Sequence, residues 1–328
     1  MNLSQIKLVY YPDTQPGIRR ERRGRGFSYI AADGTRIARG AERDRIEALA
    51  VPPAYEDVWI CPKPNGHLQA TGIDARARKQ YRYHPDWTAF RAEKKFHALA
   101  DFGRALPAIR RRVARDLNRD AGEQTFAVAA VIAMMDRLSI RVGNRDYADE
   151  NGTYGATTLQ SKHLRLQDHD LYLAYTAKGG RRVRRKLKND SLLRALQKLH
   201  DLPGGALVSW CDEDGQPRGV SSDQANAWLQ EATGTDQHTA KTFRTWSGSV
   251  AALDAALTAD GPVTIKAMSE AAAERLANTA TIARNSYIHP AVIALAEEPD
   301  LPPIKPVETR GLRLRERQLL SLLDAWKT

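Results

Sequence analysis

From Phe126 to Ile140 the chain reads Phe-Ala-Val-Ala-Ala-Val-Ile-Ala-Met-Met-Asp-Arg-Leu-Ser-Ile, apolar on nearly every side. A helix without a polar face has nothing to show to water, so this stretch predicts a buried central helix with other elements packed all round it. It falls short of the ~20 residues needed to cross a bilayer. The segment therefore demands a domain large enough to surround it. A chain of 328 residues leaves room for that domain and for a smaller one.

The smaller one reads as β-rich and precedes it. Phe27–Ile30 predicts a strand ending in a turn at Asp33-Gly34. Val58–Cys61 predicts another, between Pro52-Pro53 and Pro62-Lys-Pro-Asn-Gly66, with His67–Thr71 returning as a hairpin partner. Gln80–Tyr83 predicts a further strand and puts Tyr81 and Tyr83 on one face.

From Thr88 the period turns helical. Thr88–Leu99 is charged and amphipathic, and Leu106-Pro107 opens a separate helix through Arg119. Leu171–Lys178 alternates like a strand, Gly179-Gly180 turns the chain, and Arg181–Lys188 returns. Asp190 caps a helix through His200. Helices are predicted over Ser222–Ala232, Thr239–Leu257, Thr264–Leu276 and Ala291–Glu298. After the prolines at 299, 302, 303 and 306, Leu312–Trp326 predicts a last helix with Leu319, Leu320, Leu323 and Trp326 on its packed face. The expected domains are residues 1–90, β-rich; 91–298; and 299–328, a Pro-rich linker plus helix packed on the body.

Charge separates the parts too. The net charge is +11, with 36 Arg against 14 Lys. Residues 1–95 hold 18 basic and 11 acidic side chains, which leaves only +4 for the remainder. A basic chain favours a polyanionic partner, nucleic acid first, and Arg grips phosphate bidentately. Met1–Lys7 lacks a signal-peptide apolar region. Two cysteines, Cys61 and Cys211, cannot build a disulfide framework or zinc ribbon. Both read as small buried hydrophobes in a reducing, cytoplasmic setting.

Several chemistries lack their residues. No Gly-rich loop ends in Gly-Lys-Ser/Thr, no dinucleotide fingerprint occurs, and no His pair has metalloprotease spacing. Asp212-Glu-Asp214 could present carboxylates to Mg²⁺, but Asp214-Gly215 followed by Pro217 reads as a solvated turn. No metal or nucleotide cofactor is expected.

A scattered set remains: Arg141, Lys178, Arg244, Asn278 and Tyr287. Alone, each has an ordinary explanation: a helix-end cation, a turn lysine, a half-buried phenol. Together, two guanidiniums, an ammonium, an amide donor and a phenol could hold a phosphodiester, attack its phosphorus and protonate the leaving oxygen. Lys178 sits beside a run of six cations from Arg181 to Lys188, a pattern suited to phosphate contact.

The ordered set resembles the bacterial branch of poxvirus-type DNA topoisomerase IB. Lys178 falls 37 residues after Arg141 and Tyr287 nine after Asn278, as in that family. Lys241-x-x-Arg244 and Ser286-Tyr-Ile-His-Pro290 also match. Val58-Trp-Ile-Cys-Pro62, Gly66–Asp74 and Arg78–Pro85 resemble its small domain, so the likeness covers roughly residues 20–295.

The resemblance implies an α+β fold: a small β-rich domain and a larger, mainly helical catalytic domain of the topoisomerase IB and tyrosine recombinase type, forming a clamp on double-stranded DNA. It implies that Tyr287 attacks the scissile phosphorus, Arg141 and Arg244 hold the non-bridging oxygens, Asn278 donates to one of them, and Lys178 protonates the 5′ oxygen. Supercoils would relax through a 3′-phosphotyrosine, without ATP or metal, in a monomer associated with the nucleoid. DNA contacts carry over to Gln80, Tyr81, Tyr83 and Tyr147, with Arg181, Arg182 and Lys241 beside the site. Many relatives have His where Asn278 stands, which exchanges a charged contact for a neutral one. Two other readings stay open. A tyrosine recombinase shares the chemistry, but typically has His where Lys241 stands and a helical N-terminal module. A basic DNA-binding protein without enzymatic activity is the other.

Overall fold

In the computed structural model, residues 6–167, 170–202, 204–298, 301 and 303–326 are described, apart from the side chains of 146, 147, 166 and 167. They gather into two compact units, Met1–Lys95 and Phe96–Thr328.

The turn signals of the first unit delimit an antiparallel sheet of five strands. These are β1 (Ile18–Arg23), β2 (Gly26–Ile30), β3 (Glu56–Ile60), β4 (Leu68–Ile73) and β5 (Lys79–Tyr83), in the order β2-β1-β3-β4-β5. Helix α1 (Ala41–Ala48) inserts Ile46 against Ile18, Tyr29, Val58, Ile60 and Ala70, a small core. Neither β1, which is almost entirely charged, nor α1 carries the apolar periodicity that would announce it. Cys61 is buried, and burial pushes its thiol up.

One long helix, α2 (Pro85–Asp116), replaces the two expected over 88–119. Leu99, Phe102, Leu106 and Ile109 make one continuous buried stripe, and that packing carries the helix through Pro107. In the second unit α3 (Gln124–Leu138) is the central helix; every residue from Phe126 to Met135 is buried. Against it pack α5 (Asp190–His200), α6 (Ser222–Thr233) and α7 (Thr242–Leu257), and on α7 in turn pack α8 (Ile265–Leu276), α9 (Ala280–Tyr287) and α10 (Pro290–Ala294). Between α3 and α5 come the short α4 (Arg145–Asn151) and an antiparallel sheet, β6 (Leu164–Gln167), β7 (Asp170–Ala177) and β8 (Arg181–Lys186). Gly179 and Gly180 turn the β7–β8 hairpin with φ of 81° and 72°, the left-handed region that glycine enters at no steric cost.

Several details differ from the sequence reading. The cap of α5 is Asn189, whose side chain accepts from the Leu192 N–H, so Asp190 is the first helical residue. Helix α7 starts at Thr242, with Lys241 at its N-cap. The stretch 212–216 is the turn of a hairpin between β9 (Ser209–Cys211) and β10 (Pro217–Gly219), and Cys211 there is only part-buried. Helix α11 (Leu314–Ala325) packs Leu319, Leu320 and Leu323 into the second core, whereas Trp326 lies beyond the helix and is exposed. No helix among the described residues is long and apolar enough to cross a membrane.

Candidate active site

The end of α3 supplies Arg141. The helix stops at Leu138 because Ser139 turns left-handed (φ 57°), and the chain continues extended instead of ending at Arg141. The carbonyls of Arg141 and Val142 accept from the N–H groups of Ala156 and Thr157 at 2.8 and 2.7 Å, which fixes this strand-like segment. Gly155 makes that approach possible, since a Cβ there would lie 2.6 Å from the Arg141 carbonyl oxygen.

Arg244, in the first turn of α7, is 3% exposed. Its guanidinium donates to the carbonyls of Ser139 and Leu276, the latter at 2.8 Å, and so ties the end of α3 to the end of α8. Its Nε has no partner among the described residues. Two carbonyls thus take two of its five N–H groups, a side-chain hydrogen bond joins it to Tyr287, and the unpartnered Nε is left to donate to an incoming anion. Burial, with the Arg141 charge second, pulls this guanidinium down to about 10. It keeps its charge at neutral pH, and a bound anion relieves the repulsion.

Asn278 follows the left-handed C-cap Ala277 of α8 and is 4% exposed. Its Oδ1 accepts from Arg141 Nη2, while its Nδ2 has no partner among the described residues. The contact with Arg141 fixes the amide's orientation and leaves a buried donor, which costs stability unless something accepts from it.

Tyr287 is the last residue of α9, a helix capped by the Thr279 hydroxyl. The Arg244 guanidinium carbon stands 5.1 Å from the centre of its ring. The Tyr287 carbonyl accepts from Ser249 Oγ (3.3 Å), which in turn accepts from the His289 N–H (2.9 Å). Asn278 and Tyr287 flank α9, and the Arg141–Arg244 pair links them.

Four of the five sequence candidates are therefore joined by contacts. Lys178 occupies the exposed turn at the hairpin tip, one residue beyond Ala177, which lines the arginine cavity described next. Arg181 and Arg182 are exposed and line a groove of about 760 Å³ together with Asn278 and Thr279. Lys241 is exposed at the N-cap of α7.

On the first unit, Tyr81 and Tyr83 are 50% and 45% exposed and stack at 6.1 Å, an outward face rather than a strand core. Gln80 alternates to the other face, where its Nε2 donates to Asp74 Oδ2 (2.9 Å). The side chain of Tyr147 lies outside the described residues.

Sequence reasoning missed Tyr175 and Arg275, and took Arg185 only as one of the six cations of the basic run. Tyr175, Arg185 and Arg275 line a small cavity of about 10 Å³ with Arg141 and Arg244, roughly the room one water needs. Burial pushes the Tyr175 phenol up to about 12, although Arg244, Arg185 and Arg141 pull the other way. The alternation of β7 could have found Tyr175, because it shares the buried face with Leu173 and Ala177. Nothing in the sequence marks Arg275.

Comparison with known proteins decides among arrangements of this kind. Residues 85–286 match the catalytic core of eukaryotic DNA topoisomerase I. The chain belongs to the DNA topoisomerase I family. It is therefore an enzyme, and residues 26–74 match the N-terminal domain of bacterial DNA topoisomerase IB, as the poxvirus-type bacterial branch requires. A DNA topoisomerase 1B of Acanthamoeba polyphaga mimivirus is 29% identical over 286 residues, covering 83% of this chain and 85% of its own. The DNA topoisomerase 1B of Vaccinia virus (strain Copenhagen) is 23% identical over 150 residues, 45% of this chain and 46% of its own. For a topoisomerase, the pairing of an amide and two guanidiniums beside a phenol is chemically apt: all four side chains can serve one phosphodiester.

Proposed function

We propose that this enzyme relaxes supercoiled duplex DNA by transient cleavage of one strand. Tyr287 Oη gives up its proton to solvent as it attacks the scissile phosphorus. The bond to the 5′ oxygen breaks, leaving a 3′-phosphotyrosine and a 5′-hydroxyl. Arg141 and Arg244 stabilise the negative charge that builds on the non-bridging oxygens, and the unpartnered Nδ2 of Asn278 donates to one of them. Lys178, from the hairpin tip, delivers the proton to the departing 5′ oxygen. The steps reverse for religation. The phosphotyrosine conserves the energy of the broken bond, so ATP has no role, and four side chains supply the stabilisation that Mg²⁺ would otherwise give.

One observation carries this reading: Arg141 engages Asn278 Oδ1 while the buried Nδ2 has no partner among the described residues, and Arg244, which lines one small cavity with Arg141, lies against Tyr287. The β-rich unit would read the major-groove side through Tyr81 and Tyr83, and the two units would close as a clamp on the duplex. The second unit would share its fold with the tyrosine recombinases, and a monomer would suffice.

Supercoiled plasmid incubated with the enzyme, EDTA and no ATP should relax. SDS should trap a covalent protein–DNA adduct, and Tyr287→Phe should abolish both while keeping DNA binding. A folded wild-type protein that leaves plasmid supercoiled would refute the proposal. Strand exchange between two duplexes would instead make it a recombinase.

A further inference from the structure

Past the hairpin, the far end of β8 borders a separate cavity of about 530 Å³. That lies within the roughly 300–1,000 Å³ typical of small-molecule sites. Among the described residues, seven cationic side chains line it and no carboxylate does. Arg184, Arg185, Lys186 and Lys188 come from β8 and the residues after it. Arg137, Arg275 and Arg313 come from the ends of α3 and α8 and from the N-cap of α11.

The neighbouring acids turn mainly to Arg110, although two of the seven cations, Lys186 and Arg137, each have a carboxylate partner as well. Asp136 and Glu316 both bind Arg110, at 2.7 to 2.9 Å, and Asp170 pairs with Lys186. Asp136 Oδ2 comes no closer than 3.6 Å to Arg137 Nε. Neutral acceptors hold the inner arginines instead. Arg275 donates to Ser247 Oγ (3.2 Å) and to the Arg137 carbonyl (2.9 Å). Arg185 donates to the carbonyls of Glu274 and Arg275 at 2.8 and 2.9 Å, and its buried Nε has no partner. Carbonyls orient a guanidinium without cancelling its charge, so the cavity keeps a strong positive potential. Burial pulls Arg275 and Arg137 below their ordinary values; for Arg275 the charges of Arg185 and Arg313 add to this. Helix α5 also begins at the rim, where Asn189 lines the cavity, and adds its positive end.

We propose that this cavity binds a run of closely spaced phosphates, at a site separate from the one where Tyr287 and Asn278 meet the scissile strand. The fixed forks of Arg185 and Arg275 suit phosphate oxygens at the cavity floor, and the exposed Lys188 and Arg313 meet the outer phosphates. Arg185 and Arg275 also line the small cavity beside Arg141 and Arg244, so the charge of an occupant is felt there.

Two sources offer this chemistry, a free polyphosphate chain and the backbone of a nucleic-acid strand. Inorganic triphosphate is the probe, titrated calorimetrically into the full-length protein at moderate salt. Saturable one-to-one binding is expected. Lys188→Glu and Arg313→Glu, both at exposed positions, should each weaken it by about tenfold or more, as loss of a charged hydrogen bond implies. Arg119→Glu makes the same charge change just beyond the other end of α3, ~20 Å away at about 1.5 Å per residue, and should cost less than about threefold. Non-saturable binding, or equal losses in all three variants, would overturn the proposal by reducing it to net charge. The Tyr287→Phe protein with a short duplex then separates the sources. If duplex displaces triphosphate and Lys188→Glu weakens both, the cavity holds nucleic-acid backbone. If both bind together, it holds a free phosphate chain.

Discussion

At the residue scale, the site turns on Asn278. Its Oδ1 accepts from the Arg141 guanidinium, and its Nδ2, which has no partner among the described residues, is the donor that the proposed mechanism assigns to a phosphate oxygen. Asn278→Ala should lower single-turnover cleavage by about 10²-fold, the usual cost of one preorganised donor to a developing oxyanion. Asn278→Asp should be worse, because a carboxylate would neutralise Arg141 and repel the phosphate. Quench-flow measurement of adduct formation tests both, and an aspartate variant as fast as wild type would remove Asn278 from the mechanism. A second residue governs stability. His163 Nδ1 accepts from the Gln160 N–H at 2.9 Å, and burial holds its imidazole down at about 4, with Lys162 and Arg165 adding to the effect. In the unfolded chain the same group titrates near ~6.5. Between those values the unfolded state binds more protons, so this contribution is complete above the unfolded value and declines as pH falls toward 4. The stability gap in urea between wild type and His163→Gln should therefore shrink from pH 7.5 to 4.5. The grouping of Tyr287 and Asn278 with Arg141 and Arg244 was legible because the four keep an ordered spacing along the chain. Arg275 was not, because a guanidinium buried by its neighbours looks in sequence like any of the other arginines.

At the element scale, the site depends on how closely helices approach. Gly248 in α7 faces the end of α9: a Cβ there would lie 2.8 Å from the Tyr287 carbonyl oxygen and 3.1 Å from the Tyr287 Cβ. Gly248→Ala must push the Tyr287 backbone away from Arg244. It should cost about 1–3 kcal/mol of stability, as overpacking does, and reduce cleavage by well over the tenfold that small misplacements produce. Gly103→Ala offers a comparison. Its Cβ would collide with the Trp246 ring at 2.5 Å, in the α2–α7 contact, so stability should fall by a similar amount with a smaller effect on cleavage. Thermal melts beside single-turnover rates separate the two, and equal rate losses would show that only general destabilisation matters. Sequence periodicity foretold α3 and the β7–β8 hairpin because burial and turn chemistry act locally there. It missed α9, since Ala-Thr-Ile-Ala-Arg-Asn-Ser-Tyr buries only Ala283 and takes its order from the Thr279 cap and its neighbours. It split α2 because Pro107 is a strong local stop that only tertiary packing overrides.

At the scale of the whole molecule, the proposed function divides the work of binding between charge and aromatic surface. The first unit carries a net +7 and presents the stacked Tyr81–Tyr83 pair, while the exposed Arg181 and Arg182 line the groove beside Asn278 in the second. These contacts differ in kind, and salt distinguishes them. Each phosphate that a cation neutralises adds about 0.9 to the slope of log affinity against log salt, because a counterion leaves the duplex. Arg182→Ala should therefore flatten that slope by about 0.9 and weaken binding most at low salt. Tyr81→Ala removes no charge. It should weaken binding by about tenfold at every salt concentration, equivalent to ~1.4 kcal/mol, and leave the slope unchanged. Anisotropy of a labelled duplex, measured from low to moderate salt in a Tyr287→Phe background, reads binding without cleavage. Parallel lines for Tyr81→Ala and a shallower one for Arg182→Ala are expected. A flattened line for Tyr81→Ala would mean that the tyrosine acts by positioning nearby cations such as Lys79, which lies 5.7 Å from its ring centre, and that the aromatic pair does not itself touch DNA.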